Sequence, residues 1–290
     1  MSPIINHYLQ LMRAPAVFTA LSNILAAHII VTQGDIIWSA LFLLLGASAA
    51  LYSGGMVLND WFDYDTDCRE RPDRPLPSGK ISRSHAMLFA CLLLALGITL
   101  AALVGSRSLS IAIGIMILVL LYDSILKRTI SGSLAMAGCR YLNWLLGFSL
   151  LPLTELSLAI PIPVFLYIMA LTLLSREEES AKNRIIVVIT AIGIIAAGLS
   201  IILPAMIADI ESDWQAFVVL LAIAFIMQRL WQIYHNFSPA SIQSTMQLLL
   251  FAIIPLDAIL VMIFAPSWWS LLVLLLLIPG KFLARLMYVT

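Results

Sequence analysis

The sequence predicts an all-α membrane protein, a bundle of nine or ten transmembrane helices. Of its 290 residues, 62% are hydrophobic and only 11% are charged, whereas about 25% of the residues of a soluble protein are charged. The mean hydropathy is +1.02. The formal net charge is zero, so composition gives no reason to expect a nucleic-acid partner. No stretch has the composition of a linker, and we therefore expect a single domain over residues 1–290.

Apolar segments of about 20 residues, the length that a helix needs to cross a bilayer, follow one another along the chain. In order, they cover about residues 15–32, 36–58, 84–104, 109–126, 132–152, 159–175, 185–208, 214–235, 242–264 and 268–288. Only a short turn at Pro266 and Ser267 separates the last two segments. The number of predicted helices is therefore nine or ten.

Lysine and arginine are distributed unequally between alternate loops, which predicts the orientation of the bundle. If the N-terminus is cytoplasmic, the opposite side carries Arg107 alone, and Arg140 lies within a helix. All the others then fall on the cytoplasmic side: Arg13, Arg69, Arg71, Arg74, Lys80, Arg83, Lys127, Arg128, Arg176, Lys182, Arg184, Arg229, Lys281 and Arg285. We expect a multi-pass cell-membrane protein with both termini in the cytoplasm.

The densest group of charges begins where the second predicted helix ends. Asn59, Asp63 and Asp67 are spaced four residues apart, so on a helix they lie on one face, about one turn from each other. Like charges at this spacing repel, and Asp60 and Asp65 add to the repulsion. Oxygen ligands without histidine or cysteine suit a hard cation such as Mg²⁺, which commonly also binds substrate phosphates.

We call Asn59, Asp63 and Asp67 the acidic stripe. Basic residues follow it directly, at Arg69, Arg71, Arg74 and Lys80. Such side chains bind phosphate oxygens. An acidic stripe followed by a basic loop indicates a Mg²⁺–diphosphate site. The alternative is a solvated acidic helix end followed by a basic loop.

A second acidic cluster ends the sixth predicted helix, in the sequence Ser175-Arg-Glu-Glu-Glu179. Four helices separate the two clusters, an even number, so both emerge on the cytoplasmic side and can share metal ions. Because successive helical residues point about 100° apart, only one or two of these glutamates can face a shared cavity, and we favour Glu178 or Glu179. The alternative is a solvated helix end.

Further polar groups are candidates for substrate binding. Lys127 can hold a diphosphate from a third direction, although it is equally typical of a positively charged cytoplasmic anchor. Within the membrane, Arg140 and Asn143 lie one turn apart on one helix, and Asn23 lies on another. Intramembrane polar groups usually face the bundle interior or a cavity. A helix–helix hydrogen bond would explain Asn143 equally well, and the partner of Asp257 stays open.

The sequence NDxxDxxxD followed by RPxRPLPSG, here from Asn59 to Gly79, resembles the first signature of the UbiA superfamily of intramembrane prenyltransferases. The YxxxxKR sequence from Tyr122 to Arg128 is similar to the next region of that family. The resemblance implies a helical bundle around a central cavity that opens to lipid. It also implies transfer of an isoprenoid from its diphosphate to an acceptor that is often aromatic. One departure is clear: where the family has DxxxD, this chain has Ser175 in the first position and Glu179 in the second.

On this interpretation, each candidate residue has a role. Mg²⁺ is held by Asn59, Asp63, Asp67 and Glu178 or Glu179. The diphosphate is bound by Arg71, Arg74, Lys127 and Arg128. Tyr122 offers an aromatic face to an allylic cation, which makes Asp63, Asp67, Tyr122 and Lys127 the expected catalytic residues. The acceptor, aromatic or otherwise lipophilic, binds deeper, near Asn23, Arg140 and Asn143.

The departure at Ser175 supports a second hypothesis. With a neutral hydroxyl in place of a carboxylate, the protein would bind or help to export a lipophilic metabolite without turning it over. An enzyme should release pyrophosphate in a Mg²⁺-dependent reaction, whereas a carrier should bind ligand without turnover.

Overall fold

The computed structural model describes residues 3–127, 129–178, 181–209 and 213–287. These residues form sixteen α-helices, several of which follow one another within one membrane span. They are α1 (Pro3–Leu11), α2 (Ala14–Thr32), α3 (Trp38–Phe62), α4 (Tyr64–Glu70), α5 (Arg83–Val104), α6 (Ser106–Leu121), α7 (Ile130–Phe148), α8 (Glu155–Ala159), α9 (Ile162–Ser175), α10 (Ile185–Leu199), α11 (Ile202–Ile207), α12 (Asp213–His235), α13 (Pro239–Phe251), α14 (Ile253–Phe264), α15 (Trp269–Leu275) and α16 (Leu277–Met287). A π-helical turn, Tyr122–Leu126, continues α6.

Nine helical segments of the described chain are long and apolar enough to cross a membrane. In addition, α7 is a helix of 19 residues that packs against α2, α6 and α9 within the same bundle. The predicted all-α bundle of nine or ten transmembrane helices is confirmed. The bounds differ by up to four residues: α3 ends at Phe62 where 58 was predicted, and α7 ends at Phe148 where 152 was predicted.

Proline divides three of the later spans into two helices each. The breaks fall at Ser200–Ile201, Ala252 and Leu276, and the prolines are Pro204, Pro255 and Pro279. In each case the break lies three or four residues before the proline. Proline has no N–H to donate, and its ring collides with the carbonyl group of the residue four positions earlier. The apolar run therefore continues through the break while the helical hydrogen bonding is interrupted.

The interior of the bundle is built around α2, which is buried over most of its length. It packs against α3, α7, α14 and α16. Gly147 of α7 allows a close approach to α2, because a Cβ atom there would lie 2.5 Å from Cβ of Ala27 and 3.0 Å from the carbonyl oxygen of Ile24. Small residues at helix contacts are typical of membrane bundles. This contact brings the polar residues of α7 against α2.

The acidic stripe lies where α3 ends and α4 begins. Asp63 separates the two helices, but the hydrogen bonding spaced by four residues continues across it. The amide of Asp63 donates to the carbonyl of Asn59 at 3.0 Å, and that of Asp67 donates to the carbonyl of Asp63 at 2.9 Å. The predicted one-turn spacing of the three side chains is therefore retained through the junction.

Candidate functional site

The carboxylates of the first acidic cluster contact arginines in the structure. Asp67 is buried, and its Oδ2 accepts a hydrogen bond from Nη1 of Arg74 at 2.8 Å. Nη1 of Arg71 lies 3.9 Å from the other oxygen of Asp67. Asp60 is also buried, and its Oδ1 lies 3.5 Å from Arg13 and 3.6 Å from Arg74. These cations offset the repulsion that the sequence predicted between neighbouring aspartates.

Asn59 and Asp63 contact a different segment, the end of α6. Nδ2 of Asn59 donates to Oδ1 of Asp123 at 2.8 Å, and Nζ of Lys127 forms an ion pair with Asp63. Asp63, Asp123 and Lys127 line a pocket of about 240 Å³ together with Phe62, Ser124 and Ile125. The predicted meeting of Lys127 with the acidic stripe is therefore present in the structure. Arg128 lies outside the described residues.

The described residues of the second acidic cluster, Ser175 to Glu178, make different contacts. The hydroxyl of Ser175 donates to the carbonyl of Thr172 at 2.9 Å, within its own helix. Oε2 of Glu177 accepts from the backbone amides of Lys182 at 2.6 Å and Asn183 at 3.1 Å, so this carboxylate oxygen binds the backbone that precedes α10. Glu179 lies outside the described residues.

Glu178 is the described residue of this cluster that approaches the first one. Burial raises the pKa of its carboxyl, and the positive charges of Arg71 and Arg13 lower it. The pKa of Arg71 is lowered, mainly by burial and also by the neighbouring Arg74, while the negative charges of Asp67 and Glu178 act to raise it. The charges of Glu178 and Arg71 therefore influence each other's pKa, which links the second cluster to the basic loop after α4. Of the glutamates that the sequence favoured, Glu178 is the one whose surroundings the structure describes.

The donor set suits a hard divalent cation. Asn59, Asp60, Asp63, Asp67 and Glu178 offer only oxygen ligands. Oδ1 of Asp60 is buried without a hydrogen-bond partner among the described residues, but Arg13 and Arg74 lie 3.5 and 3.6 Å from it and offset its charge. Among those same residues, no three acidic, histidine or cysteine side chains are already gathered as a metal cluster. The carboxylates are instead paired with arginine and lysine.

Deeper in the membrane, Arg140 is buried and contacts both α2 and α3. Its Nη2 donates to Oγ1 of Thr19 at 2.7 Å and its Nη1 to Oδ1 of Asn23 at 3.3 Å. The guanidinium carbon lies 5.3 Å from the ring centre of Tyr52. Tyr52 precedes Asn59 by seven residues on α3, so this group lies about 10 Å deeper than the acidic stripe at 1.5 Å per helical residue.

Asp257 of α14 completes this buried polar network. Its carboxylate accepts from Oγ of Ser22 at 2.5 Å and from Nδ2 of Asn23 at 2.8 and 3.0 Å. Nδ2 of Asn143 donates to the carbonyl of Ala20 at 2.9 Å and to Oδ1 of Asn23 at 3.3 Å. The three predicted acceptor residues, Asn23, Arg140 and Asn143, therefore meet at one place, and there they bond to each other.

Sequence reasoning missed several residues of the site. Asp123, Asp60 and Arg13 were not among the predicted site residues. Asp123 contacts Asn59 of the acidic stripe, and Asp60 contacts Arg13 and Arg74. One observation could have indicated Asp123: it precedes Lys127 by four residues, the same spacing that separates Asn59 from Asp63. Tyr122, the predicted aromatic residue, lies half-buried at the start of the π-helical turn.

The fold and the site together define a multi-pass membrane protein that gathers carboxylates and cations at one end of a helical bundle. A family model described as "UbiA prenyltransferase family" matches residues 20–289. The chain belongs to this family, as the resemblance predicted. The predicted enzyme class, a prenyltransferase, agrees with the family and with the names of its relatives.

Two relatives are named digeranylgeranylglyceryl phosphate synthase. That of Methanoregula boonei is 30% identical over 170 residues, which cover 55% of this chain and 58% of the relative. That of Methanococcoides burtonii is 37% identical over 137 residues, which cover 42% of this chain and 46% of the relative. The chain thus spans about half the length of these curated relatives.

Solved structures share the fold. A UbiA homolog from Archaeoglobus fulgidus bound to DMAPP and Mg²⁺ has a TM-score of 0.58 at 18% identity, with 87% of this chain and 98% of that chain covered. A UbiA homolog from Aeropyrum pernix K1 has a TM-score of 0.64 at 13% identity, with 84% and 96% covered. At such identities the likeness concerns the fold.

Proposed function

We propose that the protein is a Mg²⁺-dependent prenyltransferase that moves a prenyl group from a prenyl diphosphate to a lipophilic or aromatic acceptor within the membrane. One observation carries this proposal. The carboxylates of the α3–α4 junction meet cations from three separate segments: the start of α2, the loop after α4 and the end of α6. The A. fulgidus structure, a member of the same fold, was solved with DMAPP and Mg²⁺ and supports the same chemistry.

The pairing of the charges suggests how such a substrate is bound. Asp63 pairs with Lys127, and Asp67 pairs with Arg74, so each proposed metal ligand contacts a proposed phosphate ligand. With a metal-bound diphosphate present, Asp63 and Asp67 would hold the metal, and Lys127 and Arg74 would bind phosphate oxygens. Every charge keeps an opposite partner, and the cost of leaving a charge unpaired away from water is avoided.

The residues then divide into two groups by role. Asn59, Asp63, Asp67 and Glu178, with Glu179, hold the metal, which when bound stabilises the negative charge that develops on the leaving diphosphate. Arg71, Arg74, Lys127 and Arg128 bind the diphosphate oxygens and stabilise the same charge. In this arrangement Tyr122 presents its ring to the allylic carbon, where a cation–π contact contributes about 0.5–2 kcal/mol.

The acceptor site lies deeper, beside Asn23, Arg140 and Asn143. Because these side chains bond to each other, the hydrogen bonds of an acceptor compete there with internal ones. Tyr52, against which Arg140 packs, offers an aromatic surface on the same face of α3 as Asn59, which follows it by seven residues. An acceptor with an apolar or aromatic body and one hydrogen-bonding group suits these surroundings.

A specific observation favours the alternative of a non-catalytic carrier. The Ser175 hydroxyl bonds within its own helix, and a carboxylate oxygen of Glu177 binds the backbone that precedes α10. Glu178 is then the one described carboxylate of the second cluster that remains for a metal. A second cluster with so few ligands would bind a prenyl diphosphate while leaving it intact.

Pyrophosphate release by the purified protein separates the two hypotheses. With a panel of prenyl diphosphates and candidate acceptors, we expect release that requires Mg²⁺ and that falls at least about tenfold in Glu178→Gln, because a ligand charge is lost. Glu70→Gln, which alters an exposed carboxylate of α4, serves as the matched control and should retain full activity. Binding of a prenyl diphosphate without any pyrophosphate release would favour the carrier.

We further propose that both termini and both acidic clusters face the cytoplasm. The contacts of Arg13 with Asp60, Lys127 with Asp63 and Arg176 with Thr129 gather the ends of several helices at one end of the bundle. Lysine and arginine are concentrated at this end, as expected for a cytoplasmic surface.

Single cysteines test this orientation after the three native cysteines are replaced by serine. Asp73→Cys lies in the exposed loop after α4, and Asp35→Cys lies in the exposed loop between α2 and α3, at the opposite end. A membrane-impermeant maleimide added to intact cells should label Asp35→Cys, and should label Asp73→Cys only after lysis. Labelling in the reverse pattern would overturn the proposed orientation.

A further inference from the structure

The ends of α3 and α6 run side by side in a constant register. Asn59 contacts Asp123 and Asp63 contacts Lys127, and each pair is 64 residues apart in sequence. One turn earlier, Gly55 faces Val119 at the same separation, since a Cβ atom at Gly55 would lie 3.2 Å from Cγ1 of Val119. Three successive contacts therefore join the two helices, and the last two involve residues of the acidic stripe.

The segment that follows α6 supplies the two residues that reach α3, Asp123 in the π-helical turn and Lys127 directly after it. The amide of Lys127 donates to the carbonyl of Tyr122 at 2.9 Å, five residues earlier, so this turn is wider than an α-helical one. In such a turn, residues four apart stay close to one face. Asp123 and Lys127 thereby match the spacing of Asn59 and Asp63. Turns of this kind occur frequently at functional sites.

The contact between Asn59 and Asp123 fixes the orientation of an amide group. An ionised carboxylate only accepts hydrogen bonds, so it is the nitrogen of the Asn59 carboxamide that faces Asp123. The oxygen of that carboxamide is then directed to the opposite side of the group. Both residues are buried, so water competes little with this bond.

We propose that Asp123 is a positioning residue, which holds the carboxamide of Asn59 so that its oxygen serves as a metal ligand. The inference rests on the proposed function, because it concerns the same metal–diphosphate site. Asp123 acts through Asn59 and does not itself touch the metal. A carboxylate that orients a ligand in this way contributes to metal affinity, and its loss typically costs about 10- to 100-fold.

A double-mutant cycle on ligand binding tests the proposal. Calorimetry with geranyl diphosphate in the presence of Mg²⁺ compares wild type, Asn59→Ala, Asp123→Ala and the double variant. We expect each single variant to bind about tenfold more weakly. The double variant should bind no more weakly than the poorer single one, because residues that act as a unit are not additive. Ser110→Ala, at an exposed serine of α6 that lies outside the pocket, is the matched control and should bind normally.

An exchanged pair adds a second readout. Asn59→Asp alone places two carboxylates against each other and should weaken binding strongly. Combined with Asp123→Asn, it restores an amide–carboxylate hydrogen bond and should recover most of the affinity. Thermal unfolding of each variant reports that it is folded, and Asp123→Asn replaces Asp123→Ala in the cycle if the alanine variant is not.

The binding measurements separate a failure of the positioning role from a failure of the proposed function. If the wild type binds no geranyl diphosphate with Mg²⁺, the proposed function fails, and this inference fails with it. If the wild type binds but the effects of Asn59→Ala and Asp123→Ala multiply to about 100-fold, Asp123 acts independently and the positioning role is wrong. Normal binding by Asp123→Ala would also overturn it.

Discussion

Asp63→Asn and Asp67→Asn should each weaken Mg²⁺-dependent binding of geranyl diphosphate by about 30- to 1,000-fold. Each substitution removes one negative charge with almost no change of shape. Loss of one partner from a buried charge pair typically costs about 2–4 kcal/mol, and each 1.4 kcal/mol corresponds to a factor of ten in affinity. We expect Asp67→Asn to have the larger effect, because Asp67 is buried and contacts Arg74. Asp63 is partly exposed beside Lys127.

Asp65→Asn is the matched control for this experiment. Asp65 lies on α4 between the two tested residues but is exposed. The Asp65→Asn variant should bind geranyl diphosphate as the wild type does. Calorimetry with and without Mg²⁺ measures the affinity, and thermal unfolding shows whether each variant is folded. If both Asp63→Asn and Asp67→Asn bind normally with Mg²⁺, the carboxylates do not hold the metal and the proposed site is wrong.

The sequence was sufficient to predict the acidic stripe because its geometry is local. Four-residue spacing predicts one helical face, and the backbone retains that spacing across the junction at Asp63. The partners of the stripe depend on tertiary packing. Asp123 reaches Asn59 only through the register of α3 against α6, and Arg13 reaches Asp60 from the start of α2. The four-residue spacing of Asp123 and Lys127 could have suggested that both face the stripe, but it does not give the register of α6 against α3, and the spacing of Arg13 gives no indication of its contact with Asp60.

The number of helices was equally accessible from the sequence, while their ends and breaks were less so. Apolar length predicts a membrane crossing, but hydropathy does not report whether the backbone remains helical. The apolar run that begins at residue 132 continues to 152, whereas α7 ends at Phe148, four residues before Pro152. Pro204 and Pro255 likewise break spans whose hydropathy is continuous.

The contacts of the buried polar network also depend on tertiary packing, between residues that are far apart in sequence. Intramembrane polar residues were expected to face the interior, and Asn23, Arg140 and Asn143 do so. The partner of Asp257 could not be named from the sequence because 234 residues separate it from Asn23. Only the packing of α14 on α2 brings the two together.

Replacement of one charged member of this network should destabilise the fold more than replacement of both. Arg140 is linked to Asp257 through Asn23, and all three are buried. Asp257→Leu leaves the guanidinium without this carboxylate in an apolar interior, and removal of one partner of a buried pair typically costs about 3–5 kcal/mol. Arg140→Met likewise leaves the Asp257 carboxylate without the guanidinium and should be similarly destabilising.

The double variant Arg140→Met, Asp257→Leu should recover much of the stability lost in either single variant, because apolar side chains replace both charges and no unpaired charge remains. Thermal unfolding in detergent measures the four proteins, with Gln228→Leu, at an exposed position of α12, as a control that should change little. Effects of the two single changes that simply add would show that Arg140 and Asp257 are energetically independent. In that case Asn23 does not couple them, and each charge is stabilised by its own neighbours, Thr19 for Arg140 and Ser22 for Asp257.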